Sequence, residues 1–361
     1  MELEIQKFLR STPNGIEELK ARYAIDCKRH GEYPNLALFK YSQISSNFAE
    51  PIVQEARGII LDESDNWKVV CYTFKKFHNQ SEPLAAKVDW LSARVQEKKD
   101  GSLCQYFYYD NRWHIATSGT PDASGEVNGF GITFAKLFWD TWSNSQWKTF
   151  GQFFCPGDCY AFELCGPQNR VVVDHKESYL TLIGIRHLDD LKEMPVEQFK
   201  GAVKQFPIHN VDDCIKAAEA LNPMQQEGFV VVDRNFNRIK IKSPAYIMLH
   251  HAKDSLSKRR MCEIVRKGEY SEFQTAIETL PELKKIFDEI YLKHETVVAA
   301  ATFTYKYLKD ADNQKDFAFL ATKTPYANVL FNMRKKGLSA AQCLALPALT
   351  LDGYMRVIGV E

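Results

Sequence analysis

No apolar run in the 361 residues approaches the roughly 18 that a membrane-spanning helix needs, so no membrane partner is expected. Net charge is also missing. The 46 Lys and Arg balance 46 Asp and Glu, and that balance alone gives no reason to propose a nucleic-acid partner. Nine cysteines, an odd number scattered from Cys27 to Cys343, lack the density of a disulfide scaffold. Their closest grouping, Cys155, Cys159 and Cys165, matches no zinc spacing, so reduced thiols are expected. Met1 to Thr12 has charges throughout and no apolar stretch ending in a small-residue cleavage site, which argues against a secretory signal. There are no repeats or low-complexity stretches, which excludes a solenoid. These absences together predict a soluble, intracellular, cytoplasmic protein, and nothing in them demands an oligomer, so a monomer is expected.

Charged residues make up 25% and apolar ones 45%, values ordinary for a globular protein, and the length suits two domains. Apolar spacing predicts helices over residues 3 to 10 and 15 to 26, then strands at Leu36 to Tyr41, Arg57 to Leu61 and Val69 to Phe74. Strands continue at Arg94 to Lys98, Leu103 to Tyr109 and Trp113 to Thr117, the last two joined through Asp110-Asn111, a good two-residue turn. A helix is expected over Ile132 to Trp142, followed by strands at Cys159 to Leu164, Val171 to Val173 and Tyr179 to Ile185. Helices follow near Val196 to Phe206 and Val211 to Leu221, then a hairpin of Gly228 to Asp233 with Arg238 to Lys242. Beyond Pro244 nearly every stretch has helical period. The expected architecture is α+β: a first domain over residues 1–254 built from antiparallel sheets with flanking helices, and an all-helical C-terminal domain over 255–361.

Charge distribution says more than its sum. From Arg234 to Lys267 there are ten Lys or Arg against two acids, Asp254 and Glu263. A solvated helix face explains such a stripe unless its context points elsewhere.

The chemistry centres on Lys98, at the end of a strand that runs into Lys99-Asp100-Gly101. A Lys-x-Asp-Gly string is weak by itself, since about one chain in ten of this length would carry it by chance. Its companions lift it. Glu163 lies in the apolar string Tyr160-Ala-Phe-Glu-Leu164, Glu227 opens Glu-Gly-Phe-Val-Val, and Lys240 and Lys242 flank Ile241, so strand alternation sends both amines to one face.

In this order the residues resemble the covalent nucleotidyltransferases, the superfamily of polynucleotide ligases and mRNA capping enzymes. Lys98-Lys-Asp-Gly101 matches motif I, Phe162-Glu163 motif III, Glu227-Gly228 motif IV and Lys240-Ile-Lys242 motif V. The chain is most similar to the bacteriophage T4 RNA ligase 1 group, whose further features are seen in Glu55-Ala-Arg-Gly-Ile-Ile60, Lys76-Phe-His-Asn79, Asn169-Arg-Val-Val172 and Lys242-Ser-Pro-Ala-Tyr246. One departure stands out: where that group usually has a lysine before a glycine and a hydroxyl residue, this chain reads Thr117-Ser118-Gly119-Thr120.

The resemblance implies a nucleotidyltransferase (ATP-grasp-like ligase) fold and an ATP-dependent RNA ligase joining 3′-hydroxyl and 5′-phosphate RNA ends in RNA repair, tRNA repair included, through a lysyl-AMP and then an RNA-adenylate. An end-healing kinase or phosphatase is the implied partner. Lys98 would be the nucleophile, Lys240 or Lys242 would touch the α-phosphate, and Arg57 and Lys76 are candidates for the β- and γ-phosphates against a reading as surface ion pairs. Phe162 is expected in the core, while Phe229 is open between core and adenine wall. Asp100 is either a turn stabiliser or part of the site.

An unperturbed lysine has a pKa of about 10.4 and is almost wholly protonated at neutral pH, so a nucleophilic one needs help. Carboxylates nearby would raise that pKa, and a divalent ion, Mg²⁺ or Mn²⁺, resolves the conflict. Glu227 is the better metal candidate, with Glu163 either a second ligand or a holder of the ribose hydroxyls. Lys253, Lys258, Arg259 and Arg260 follow the catalytic motifs, where an RNA backbone would be held. A capping-type guanylyltransferase or a DNA ligase is the enzymatic alternative, although both usually carry an OB-fold after motif V, which the helical tail contradicts. An inactive nucleotide-binding module is the non-enzymatic one.

Overall fold

The computed structural model describes residues 2–251, 257–277, 281–309 and 314–360. The chain divides into two compact units, Met1–Ser42 with Ser46–Tyr246, and Gln43–Ser45 with Ile247–Glu361. The expected α+β composition is present, and among the described residues no helix is long and apolar enough to cross a membrane.

Three sheets build the first unit. One is antiparallel, in the spatial order Ile25–Arg29, Leu36–Tyr41, Arg57–Asp62, Lys68–Cys71. The second, also antiparallel, runs Glu193–Met194, Tyr179–His187, Asp158–Cys165, Ser102–Tyr109, Arg112–Thr117. The third runs Gln205–Phe206, Arg94–Lys98, Gly228–Val232, Arg238–Lys242, His78–Asn79, its last pair parallel. Asp110 and Asn111 make the expected two-residue turn, both at positive φ (46° and 60°), the conformation that matches the strand twist. Helix Phe134–Ser143 is capped by Thr133, whose side chain accepts from the Lys136 amide. It brings Trp142 onto Tyr106 at 4.7 Å, and Trp113 stacks on the same ring at 4.5 Å. Phe162 lies in this aromatic core, as expected.

The structure departs from expectation at three places. The second helix stops at Tyr23 because Ala24 turns left-handed (φ 53°), and Ile25–Arg29 pairs as an edge strand beside Leu36–Tyr41. Residues 196–206 form no helix. Gly201 sits at φ +86°, and the segment instead satisfies its backbone on neighbouring strands: the Val203 amide donates to the Leu182 carbonyl, and Gln205–Phe206 pairs with Val95 and Gln96. Residues 171–173 join no sheet, for a reason that lies in the site itself.

Every regular element among the described residues of the second unit is a helix, and Phe273, Phe287, Phe317, Leu330 and Tyr354 are among its buried side chains.

Candidate active site

Lys98 ends the strand Arg94–Lys98, and across the ladder its partner is Gly228, which on its other side faces Lys242. The glycine has a steric reason. A Cβ there would lie 2.3 Å from the Ile241 carbonyl oxygen and 2.7 Å from the Lys242 Cα, so no side chain fits between the two lysine-bearing strands. Glu227, the residue before it, is 4% exposed, and its carboxylate accepts from Lys98 Nζ at 2.6 Å while Lys242 Nζ stands at 3.3 Å. One carboxylate thus holds both amines. Strand alternation does what the sequence promised: Arg238, Lys240 and Lys242 line an open cleft of about 950 Å³, and Ile239 and Ile241 turn to the core.

The other wall comes from the second sheet. After Lys98 the chain turns through Gly101, where a Cβ would sit 2.3 Å from the Leu164 carbonyl oxygen, so only glycine lets this turn press against the strand that carries Glu163. Asp100, 3% exposed, ties distant segments to the turn. Its Oδ2 accepts from the Val172 and Val173 amides at 2.8 and 2.7 Å, and its Oδ1 from the Tyr246 hydroxyl at 2.6 Å. The amides of 172 and 173 are therefore taken by a side chain rather than a strand neighbour, which is why 171–173 joins no ladder.

Six cations line the cleft, Arg57, Lys98, Lys99, Arg238, Lys240 and Lys242, against the lining carboxylates of Glu97 and Glu163. Leu103, Ile183, Val203 and Val230 supply an apolar wall. Fixed positive charge beside an apolar surface suits a nucleotide, whose phosphates and base need the two separately. Arg238 was not singled out from sequence, although it stands two residues before Lys240 and the same alternation points to it. It is held at 2.5 Å by Glu193, which also pairs with Arg186 at 2.7 Å.

Burial pushes the Glu163 carboxyl up to about 7; Lys98 and Arg57 oppose the shift, while Glu227 and Asp100 add to it. A raised carboxyl pKa means that the folded state binds the proton more tightly than the unfolded one, so stability is greatest at low pH and falls as pH rises from about 4.5 to about 7. Glu163→Gln removes that penalty. Its gain in unfolding free energy over the parent should grow between pH 5 and pH 8 toward about 3 kcal/mol. Urea unfolding of both proteins at the two pH values checks this; an equal difference at both would show that the carboxyl is already ionised at pH 5.

Not every expected residue reaches the cleft. Phe229 faces the core, edge-on to Phe206 at 5.1 Å, because Val230 takes the cleft-facing position beside it; it is no adenine wall. Lys76 Nζ lies 4.0 Å from the Phe48 ring centroid and borders a smaller neighbouring cavity of about 440 Å³ that shares Phe74, Phe77 and Arg238 with the cleft. Lys253 lies outside the described residues. Lys258, Arg259 and Arg260 open helix Lys258–Arg266 of the second unit, where Arg259 pairs with Asp352 and Arg260 with Glu263. The basic run from 234 to 267 is divided between the two units. Arg238, Lys240 and Lys242 go to the cleft, and Arg266 donates to the Leu344, Leu346 and Leu349 carbonyls.

The donor set fits a small hard cation. Mg²⁺ is commonly held by one or two carboxylates together with substrate phosphates and water. Glu163, a carboxyl whose pKa is raised chiefly by burial, and Glu227, which accepts from Lys98, are the candidate ligands.

The signature of the RNA ligase family matches residues 55–246. An RNA ligase of Rhodothermus phage RM378 is 26% identical over 344 residues, covering 76% of this chain and 77% of its own. A protein of Autographa californica nuclear polyhedrosis virus, provisionally named a bifunctional polynucleotide kinase/RNA ligase, is 25% identical over 345 residues, covering 89% of this chain but 48% of its own, so the chain spans about half the length of that relative. Among solved structures, an archaeal ATP-dependent RNA ligase superposes with a TM-score of 0.48 at 13% identity, covering 82% of this chain and 83% of that one.

Proposed function

Because the chain belongs to the RNA ligase family, we propose that it seals RNA 3′-hydroxyl and 5′-phosphate ends at the expense of ATP, with Lys98 as the nucleotide carrier. The observation that carries this reading is the rung Lys98–Gly228–Lys242 with Glu227 beneath it, which sets a primary amine beside a second fixed cation at the edge of an open cleft.

In the first step Lys98 Nζ gives up a proton, bonds to the α-phosphorus, and the bond to the β-phosphate oxygen breaks to release pyrophosphate. The Glu227 carboxylate, 2.6 Å away, is within reach of that proton. An RNA 5′-phosphate oxygen then attacks the same phosphorus, returning the lysine amine and leaving a 5′–5′ pyrophosphate linkage. A 3′-hydroxyl finally attacks the RNA 5′-phosphorus and AMP departs. Through all three steps Lys240 and Lys242 stay fixed on one strand face, aimed at the phosphoryl oxygens, and the catalysis is alignment plus charge stabilisation. Glu227 and Glu163 would hold a divalent ion, which when bound adds positive charge against the phosphates.

Incubation with α-labelled ATP and Mg²⁺ followed by denaturing electrophoresis should show label fixed to the protein, and excess EDTA present from the start should suppress its formation by at least about 99%. No label with ATP would sink the reading, and preference for GTP would favour the capping-type alternative. RNA repair, with a kinase or phosphatase preparing the ends, is the accompanying proposal, motivated by the kinase named in the baculovirus relative. The basic start of helix Lys258–Arg266 is proposed to contact RNA phosphates through Lys258.

A further inference from the structure

Lys40 lies near the end of the strand Leu36–Tyr41, opposite Arg57 in the antiparallel ladder. The residue after Arg57, Gly58, sits at φ +88°, and a Cβ on it would come within 2.8 Å of the Ser118 Cα, so the turn of residues 117–120 closes directly onto this strand. From the next residue of that turn, the atom nearest to a Cβ built on Gly119 is Lys40 Nζ, at 3.6 Å. Lys40 thus lies beside the Ser118-Gly119 turn and opposite Arg57, which itself lines the cleft.

Among the described residues neither cation forms an ion pair, although Arg57 acts at longer range on the Glu163 carboxyl. Lys40 is exposed, and among the described residues its amine has no hydrogen-bond, ion-pair or ring partner. The carboxylate opposite it in the ladder, Asp26, is engaged by Lys20 at 3.1 Å. Arg57 forms no ion pair among the described residues, and its Nη1 is buried without a hydrogen-bond partner, although its guanidinium lies 5.0 Å from the Phe77 ring centroid. Desolvation, then Lys28 and Arg57, lower the Lys40 pKa. Like charges set opposite one another in a ladder are unfavourable, and a polyanion reverses the sign.

We propose that Lys40 and Arg57 together clasp the terminal phosphates of the nucleoside triphosphate, the Lys40 amine supplying from the neighbouring sheet the cation that the Thr117–Thr120 turn lacks. This rests on the ATP-dependent ligase reading. No bond forms to Lys40. Its charge offsets the negative charge that gathers on pyrophosphate as the α–β bond breaks, so it serves the first chemical step and no later one.

The test separates those steps. With Lys40→Ala, and with Lys40→Met to keep the aliphatic stem, kcat/KM for ATP in self-adenylylation should fall about 10- to 100-fold, the loss typical of one charge-assisted contact. Sealing of pre-adenylylated RNA, which brings no terminal phosphates, should stay within about twofold of the parent. Recovery of the ATP step by Ser118→Lys in the Lys40→Ala background would support placement of the amine at this turn. ATP-dependent adenylylation within about twofold of the parent, or parallel loss in both reactions, would overturn the proposal. A parent protein that neither takes label from ATP nor seals pre-adenylylated RNA would overturn the ligase reading itself, and this proposal with it.

Discussion

Lys98→Ala should take no label from ATP, a loss of at least about 10⁴-fold, because removing the attacking amine removes the bond that the first step makes. Its neighbour makes the control informative. Lys99 Nζ pairs with Glu97 at 2.8 Å and lies 5.3 Å from the Tyr179 ring centroid, so its amine is directed away from Glu227. Lys99→Ala should therefore retain the adduct, with its rate reduced no more than about tenfold by the loss of one cation from the cleft. Lys98→Arg answers a second question. Arginine keeps a positive partner for the buried Glu227 carboxylate but is not nucleophilic at neutral pH, so this variant should fold and still take no label. Denaturing electrophoresis with labelled ATP, with circular dichroism to confirm folding, settles all three. Label on Lys98→Ala but not on Lys99→Ala would mean that the nucleophile is the second lysine.

Asp100→Ala should cost about 3 to 5 kcal/mol of stability, since it strands two buried amides and a buried hydroxyl, each worth about 1 to 3 kcal/mol when left unpaired and not fully additive. The three donors, the adjacent Val172 and Val173 and the distant Tyr246, come from two segments far apart in sequence. Their loss should loosen 171–173 and the start of helix Pro244–His251 together. Asp100→Asn keeps one acceptor oxygen and should cost roughly half as much. Urea denaturation measures both. A cost under about 1 kcal/mol for the alanine variant would show that water replaces the carboxylate and that Asp100 is not the tie between these segments.

How much of this was legible in the sequence depends on the range of the interaction. Lys240 and Lys242 reach one cleft because the side-chain period of a strand is two, a local rule, and the turn at Asp110-Asn111 is equally local. The strand predicted at Val171–Val173 fails because its amides go to a side chain more than 70 residues earlier, which no window on that segment contains. Phe229 could have been assigned by the same alternation that placed the lysines, had Val230 been recognised as the cleft-facing residue. The basic run after residue 234 splits because Arg238, Lys240 and Lys242 line the cleft of the first unit, whereas Arg259, Arg260 and Arg266 are taken up by partners within the second. Lys40 carried no signal in sequence, since its approach to Gly119 depends on how a strand and a turn from separate sheets meet.

The Lys98–Gly228–Lys242 rung also constrains how this protein can change over generations. The proposed nucleophile and phosphate cation hang from the outer strands of one hydrogen-bonded ladder, so inserting or deleting a single residue within either outer strand would turn that strand's amine from the cleft toward the core. Lys98 and Glu227 are 129 positions apart, and the loops within that interval can lengthen or shorten while the rung stays intact. Length variation among descendants of this chain should therefore collect in those loops, with the three strands keeping their frame.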